Sequence, residues 1–365
     1  MCRAAVRGAL RCGRCGFCLA VKGSCAMLNN FWYGLAHGSA ITSIPRQVVV
    51  MGRPLVLYRT AGGRVVALED RCAHRDTALS GGWVEGNCLR CPYHGWRYAP
   101  DGACTEIPAN QPGVAISRLA KVETFPVQER HGLVWVFLGE LPEAQRPELP
   151  PLPEYAAPGW RAVRGEFTWS GHYTRVIANT VDMSHAPFVH AAAFGRKEAP
   201  RIQTYHIESE RWRGSASIQF KTKPAYFLKL VLGQTPPDGS ITSTFHLPNV
   251  TQVHHRFGRI QFILFLVHVP VDDRTTHTCW LHLRNFVTHA WADPFMHRDV
   301  VRTFRQDDSV VRLQPPGPVP EQLGAEVHAP SDGLEVAYRR LRRLCGRVEW
   351  ASPAQNPRIT EGASP

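Results

Sequence analysis

Two short Cys/His pairs stand out in the stretch 70–98, DRCAHRDTALSGGWVEGNCLRCPYHGWRY. One residue separates Cys72 from His74, two separate Cys91 from His94, and sixteen lie between His74 and Cys91. Each pair offers one thiolate and one imidazole. A structural zinc ion usually draws on Cys-Cys and His-His knuckles. A two-iron cluster of mixed ligation instead takes two thiolates on one iron and two imidazoles on the other. Two facing loops, each supplying one Cys and one His, build that arrangement directly. Pro92 and Gly95 tighten the second loop, and Gly81-Gly82 follow the first. The competing explanation is a mixed zinc site that recruits Cys88, which forms C-x-x-C with Cys91, although zinc seldom uses ligands in this order.

A second constellation lies in NTVDMSHAPFVH, residues 179–190. Asp182 and His185 are three apart and share one face of a helix. His190, five beyond His185, points elsewhere on a straight helix. Pro187 lies between them; it lacks an N–H and crowds the preceding turn, so a bend or end there brings His190 beside His185. Two His and one carboxylate on one face of a metal, with open positions, form the ligand set of ferrous sites that meet O₂. A lone helical histidine is ordinarily a satisfied core or surface residue; two His, an Asp and a Pro together outweigh that account. The carboxylate ligand must come from elsewhere, and the helix after Asp293 offers Asp307 and Asp308. At 100° per residue, Val300, Phe304 and Val311 share a face; Asp307 falls about 40° from its centre and Asp308 about 60°. Burying a carboxylate there is costly unless it is paired or metal-bound. The wheel barely separates the two, and a solvated helix acid suits Asp308 better.

The elements that position these residues follow from pattern and punctuation. From Gln47, QVVVMG, PLVLYRT and RVVALED are β-branched runs, with a hairpin turn at Ala61-Gly62-Gly63. Further turns fall at Glu85-Gly86-Asn87, Pro100-Asp101-Gly102 and His131-Gly132, the last leading into a strand from Leu133 to Gly139. Residues 27–141 therefore form a small all-β domain with both ligand loops at one end. Residues 142–158 hold six prolines in 17 positions and read as an extended linker. The second domain, 159–350, opens with a helix capped by Ser170, whose Tyr173, Val176, Ile177 and Val181 recur at helical spacing. Strand-like segments follow at Arg201–Thr222, Ser240–Leu247, Val250–His255, Arg259–Pro270 and Thr275–Val287. A helix starts at Asp293-Pro294 and ends before Pro315-Pro316. An Arg-rich, solvated helix covers Gly333–Leu344, and the tail 351–365 is compositionally disordered.

Bulk properties narrow the classes. The 365 residues suffice for about two domains. No apolar run approaches the ~20 residues of a membrane span. The net charge is +12. No nucleic-acid motif accompanies it, so the functional account of the charge is attraction of an acidic redox partner. Residues 1–26 carry five basic residues, no acid, and Cys2, Cys12, Cys15, Cys18 and Cys25. This leader is expected to lie outside the fold, with translation starting at Met27. The eleven cysteines form no secreted disulfide framework, which points to a reducing cytoplasm.

With its C-x-H…C-x-x-H loops, CPYHGW segment and N-x-x-D-x-x-H-x-x-x-x-H helix, the chain resembles the Rieske non-haem iron oxygenases, catalytic subunit, from about Phe31 to Arg343. Thr77 and Tyr93 stand where the respiratory Rieske proteins have disulfide cysteines, which places the resemblance in the oxygenase or ferredoxin branch. It implies an α+β fold: an all-β Rieske domain followed by a helix-grip (START-like) catalytic domain with a large antiparallel sheet. It implies a [2Fe-2S] cluster on Cys72, His74, Cys91 and His94, and a mononuclear Fe(II) on His185, His190 and Asp307. The segment QDDSVVRLQPP is what favours Asp307, with Gln306 where many relatives have Glu. It implies a head-to-tail homotrimer in which Asp182 bridges His94 of one subunit to His185 of the next. A ferredoxin or flavin reductase would deliver electrons from NAD(P)H. Length and the absence of long insertions resemble the vanillate demethylase-like, homo-oligomeric members, and so imply hydroxylation or O/N-demethylation of a cyclic substrate. A ring cis-dihydroxylating dioxygenase and a Rieske electron carrier without oxygenase activity are the alternatives. Phe194, Tyr226 and Phe245 are candidate pocket residues, with core packing as the simpler account of each.

Overall fold

The computed structural model describes residues 28–191, 197, 200–202, 205–220 and 239–347. The leader, its proposed Met27 start, the tail, Phe194 and Tyr226 lie outside the described residues.

The N-terminal half contains strands β1 (Phe31–His37), β2 (Arg46–Val50), β3 (Arg53–Arg59), β4 (Val65–Glu69), β5 (Trp83–Glu85), β6 (Cys88–Arg90), β7 (Arg97–Tyr98), β8 (Cys104–Glu106), β9 (Thr124–Phe125), β10 (Val127–Arg130) and β11 (Leu133–Leu138). They form three antiparallel sheets ordered β1-β11-β10, β2-β3-β4-β9 and β5-β6-β7-β8. Sequence pattern missed β1. All seven of its residues are buried, so no polar alternation marks it as a strand.

The C-terminal half runs β12 (Arg161–Trp169), α1 (Tyr173–Val181), α2 (Ala186–Val189), β13 (Ile207–Glu210), β14 (Arg213–Phe220), β15 (Gly239–His246), β16 (Val250–Phe257), β17 (Ile260–Pro270), β18 (Thr276–Arg284), α3 (Asp293–Val311) and α4 (Gly333–Arg347). Its strands make one seven-stranded antiparallel sheet ordered β12-β18-β17-β16-β15-β14-β13. The expected strand Arg201–Thr222 is two strands, because Arg211 turns the chain with φ 45°. Pattern also missed β12, whose Arg161, Arg164 and Glu166 hide its strand character.

The large sheet is covered on both faces. On one, Val163, Trp169, Leu266 and Trp280 bury against Val176 of α1 and Val300, Phe304 and Val311 of α3. On the other, Trp32, Trp135 and Phe137 of the β1-β11-β10 sheet bury against Phe265, Val267, Cys279, Leu281 and Leu283. Gly34 permits this approach, since a Cβ there would lie 2.6 Å from Val267 Cγ1. The proline-rich segment is not a free spacer: Leu149 and Leu152 bury in the same cluster. The C-terminal helix is not fully solvated either. Arg339 and Arg342 are 7% and 5% exposed; Arg339 bonds Glu335 and Glu326, and Arg342 lies 3.4 Å from the Tyr173 hydroxyl. Phe245 is fully buried in the core beside Tyr338.

Several histidines in this scaffold are buried without a counter-charge. Burial lowers His172 and His282 to about 4 and His268 to about 3, and His268 is held by the hydroxyls of Thr251 and Thr278. Below their unfolded pKa near 6.5, the unfolded chain binds protons that the folded chain does not. Stability should therefore fall as pH drops from about 6.5 toward 4, by up to ~1.4 kcal/mol per pH unit per histidine. Tm followed across that range checks this; a Tm flat down to pH 5 contradicts it.

Candidate metal centres

The two ligand loops repeat one backbone scheme. Cys72 N–H donates to Thr77 O and Cys91 N–H to Trp96 O, each five residues on. The carbonyl of each Cys accepts from the residue four on, Asp76 or Gly95, and both of those residues are left-handed, at φ 53° and 69°. Asp70, itself buried, ties the first loop down by accepting from Ser80 N–H, Ser80 Oγ and Gln47 Nε2, each at 2.6 Å. The loops dock through small residues: a Cβ on Gly82 would lie 1.8 Å from Arg90 O.

Inside this cradle the chemistry is sorted by depth. Cys72 and Cys91 are buried and His74 and His94 exposed. The His74 ring stacks on Trp96 at 4.6 Å and lies 4.7 Å from the His94 ring. Tyr98 accepts from Ala73 N–H at 3.2 Å, and its hydroxyl lies 3.1 Å from Cys72 Sγ. Burial pushes the Cys91 thiol up, so that sulfur needs nearby positive charge to ionise. One zinc ion binding at about 2.0–2.3 Å would require its donors within about 4 Å of each other. No three of Cys72, His74, Cys88, Cys91 and His94 have donor atoms within 4.8 Å of one another. A bridged iron pair suits the wider spacing.

The second constellation is built differently from the sequence expectation. The cap of α1 is His172, whose Nδ1 accepts from Thr174 N–H at 3.3 Å. Ser170 is not the cap; its N–H goes to Asp308 Oδ1 at 2.8 Å. The helix ends at Val181, before Pro187, and Asp182 is its C-cap with ψ 128°. Asp182 and His185 therefore do not share a helical face. Asp182 Oδ1 accepts from Ser184 N–H and Oγ, both at 2.6 Å, and Oδ2 lies 3.5 Å from His185 Nδ1. His185 and His190 flank the single turn α2, with Pro187 in its first turn where its missing N–H costs nothing. Their rings come to 5.2 Å.

Asp307 and Asp308, 7% and 3% exposed, are both buried. Asp308 is not a solvated acid: besides Ser170 it pairs with Arg312. Asp307 turns inward, with Oδ1 3.2 Å from His190 Nε2 and 3.5 Å from His185 Nε2. That oxygen is buried with no hydrogen-bond partner among the described residues. The three donor atoms lie within 4.8 Å of one another, a spacing that one ion could close. Gln306, which the sequence marked only as a departure from a family glutamate, places Oε1 2.8 Å from His190 Nδ1. The amide oxygen only accepts, so the His190 proton sits on Nδ1 and the Nε2 lone pair faces Asp307. Burial opposes charge on both Asp182 and His185, but their mutual attraction prevails: Asp182 lies below its usual range and His185 above it. The adjoining cavity is walled by Ile218, Ile241, Val253, Leu264, Leu266 and His255. Phe245 is not among its lining residues.

Residues 31–126 match the Rieske [2Fe-2S] domain, and residues 169–345 match the vanillate O-demethylase oxygenase C-terminal domain. Methylxanthine N1-demethylase NdmA of Pseudomonas putida is 31% identical over 331 residues, 87% of this chain and 89% of that protein. The toluene-4-sulfonate monooxygenase system iron-sulfur subunit TsaM1 of Comamonas testosteroni is 27% identical over 316 residues, covering 78% and 87%. The solved structure of NdmA from P. putida CBB5 matches with a TM-score of 0.74 at 26% identity, covering 87% of this chain and 90% of that one. Dicamba monooxygenase shares the fold, with a TM-score of 0.72 at 22% identity over 88% and 99%. These relatives are monooxygenase and demethylase proteins, in line with hydroxylation or demethylation rather than ring cis-dihydroxylation. The match over 169–345 sets aside a bare electron carrier.

The Gly82 contact gives a direct test of the loop cradle. Gly82→Ala should force the loops apart and strip most visible absorbance and acid-labile sulfide from the purified protein. Gly324→Ala, whose Cβ would meet nothing within 4 Å, should keep both. Equal sulfide in the two variants refutes the cradle.

Proposed function

The chain belongs to the Rieske non-haem iron oxygenases, and we propose that Cys72, His74, Cys91 and His94 hold its [2Fe-2S] cluster and that His185, His190 and Asp307 hold its mononuclear iron. It is an oxygenase component, an oxidoreductase that incorporates molecular oxygen with electrons drawn from NAD(P)H through a reductase. The observation that carries the residue assignment is Asp307 Oδ1, a buried carboxylate oxygen without a hydrogen bond, facing two imidazole nitrogens. When bound, the two metal groups relay electrons and activate O₂.

The chain's own residues do the rest. Tyr98 donates to Cys72 Sγ and so stabilises thiolate charge. Gln306 holds the His190 tautomer and ring plane, as outer partners of metal-bound His commonly do. Asp182 keeps one oxygen on Ser184 and leaves the other beside His185. That oxygen links the centres if His94 of a neighbouring copy reaches it. Exposure of His74, His94 and Tyr93 supports such a head-to-tail homotrimer. The apolar cavity with His255 and Ser243 on its wall suits a cyclic, mostly apolar organic substrate that offers one polar group, hydroxylated or O/N-demethylated at the iron. The +12 charge suits an acidic ferredoxin or flavin reductase. The six described cysteines, all unpaired, suit a cytoplasmic location.

His185→Ala should lower iron from about three to about two per chain while the cluster spectrum persists; three irons retained, or a lost spectrum, overturns the assignment. Asp182→Asn should keep its iron and a reducible cluster but lose product formation by at least ~100-fold, and full turnover would refute the link. Gln306→Leu should weaken Fe(II) binding by roughly 10–100-fold in chelator competition.

A further inference from the structure

The face of the large sheet opposite α1 and α3 carries a separate group of metal-ligating side chains. Glu166 of β12 stands opposite Cys279 of β18, and Thr168 opposite His277. Cross-strand partners project on one side, so these residues share a face, and His37 at the end of β1 descends onto it. One donor atom each from His37, Glu166 and Cys279 lies within 4.8 Å of the others.

The ring of His37 is set for ligation. Its Nε2 lies 2.9 Å from Gly165 O. A carbonyl only accepts, so Nε2 carries the proton and Nδ1 keeps a bare lone pair. His37 is 4% exposed, and Nδ1 is buried with no hydrogen-bond partner among the described residues. A histidine retained only for packing would normally have that nitrogen satisfied. Cys279 is fully buried, with the Leu35 carbonyl 3.8 Å from its sulfur. Glu166 is the open side of the group. It faces His277 at 3.4 Å and Arg46 at 3.7 Å.

We propose that His37 Nδ1, Cys279 Sγ and a Glu166 oxygen bind a zinc-class divalent cation that ties β1 to β12 and β18. One thiolate, one imidazole and one carboxylate are donors that zinc accepts together, with water completing four-coordination. Binding breaks the Cys279 S–H bond, forms a metal–sulfur bond and releases the proton to solvent; no electrons move. His277 then bonds the ligating carboxylate from outside. The ferrous group lies on the helix-covered face of the same sheet, so the two sites fill independently.

The full chain, loaded with iron, is titrated with zinc chloride; Tm is read with the zinc present, and metal content and zinc-edge X-ray absorption are measured after desalting. The expected result is about one zinc per chain beside undiminished iron. One sulfur should appear in its shell, and Tm should rise by roughly 3–8 °C at zinc near 100-fold over Kd. His185→Ala should retain this zinc. Cys279→Ser and His37→Gln should lose it, and Glu166→Gln, at an exposed position that leaves the core intact, should weaken it at least ~10-fold. No retained zinc, a shell without sulfur, or zinc binding unchanged in Glu166→Gln overturns the proposal.

Discussion

Burying a carboxylate without a counter-charge costs several kcal/mol, and Asp307 is such a carboxylate. The imidazoles beside it do not resolve the cost as neutral rings. The His190 proton is drawn to Gln306, and Asp182 lies on the Nδ1 side of His185. With both rings neutral, two nitrogen lone pairs and one anionic oxygen then face a common point, an arrangement that a metal cation settles. Much of the C-terminal half serves to create it. The apolar stripe of α3 carries Asp307 inward. Asp308, one residue later, bonds Ser170 just ahead of α1 and so fixes α3 against the helix that precedes both histidines.

The N-terminal centre solves the opposite problem. Its two sulfurs are buried, and the loops that carry them share a left-handed residue four positions after each Cys. Depth separates the ligand types. The thiols sit in the apolar cluster with Leu79, Leu89 and Tyr98, while the imidazoles reach the surface.

Much of this was legible in the sequence because ligand chemistry is local. Cys72, His74, Cys91 and His94 announce themselves by spacing, and the His185, His190 pair by its proline. What stayed hidden depends on distant partners. A helical wheel places Asp307 and Asp308 on either side of the apolar face, about 40° and 60° from its centre, and both proved buried; only Ser170 and the two imidazoles, far away in sequence, tell them apart. The cap of α1 is His172 because the helix begins at Tyr173, two residues beyond the position that Ser170 could cap. Helix α1 ended at Asp182, ahead of the proline, because the Asp182 carboxylate bonds Ser184 as a turn does. The Arg339 and Arg342 side chains look like surface charge until Glu326, Glu335 and Tyr173 are seen beside them. Gln306 looked like a mere departure from a family glutamate, since its importance lies in one contact across the fold.

The burial of the β1-β11-β10 sheet, with Leu149 and Leu152 of the proline-rich segment, onto the outer face of the large sheet has a mechanical corollary. Two tryptophans and several aliphatic side chains are shared between the halves, so swinging one half away from the other would wet them all. No hinge is available at the point where a linker would ordinarily supply one. The reach from the exposed imidazoles to any docking partner is therefore set when the chain folds, rather than by a swinging arm.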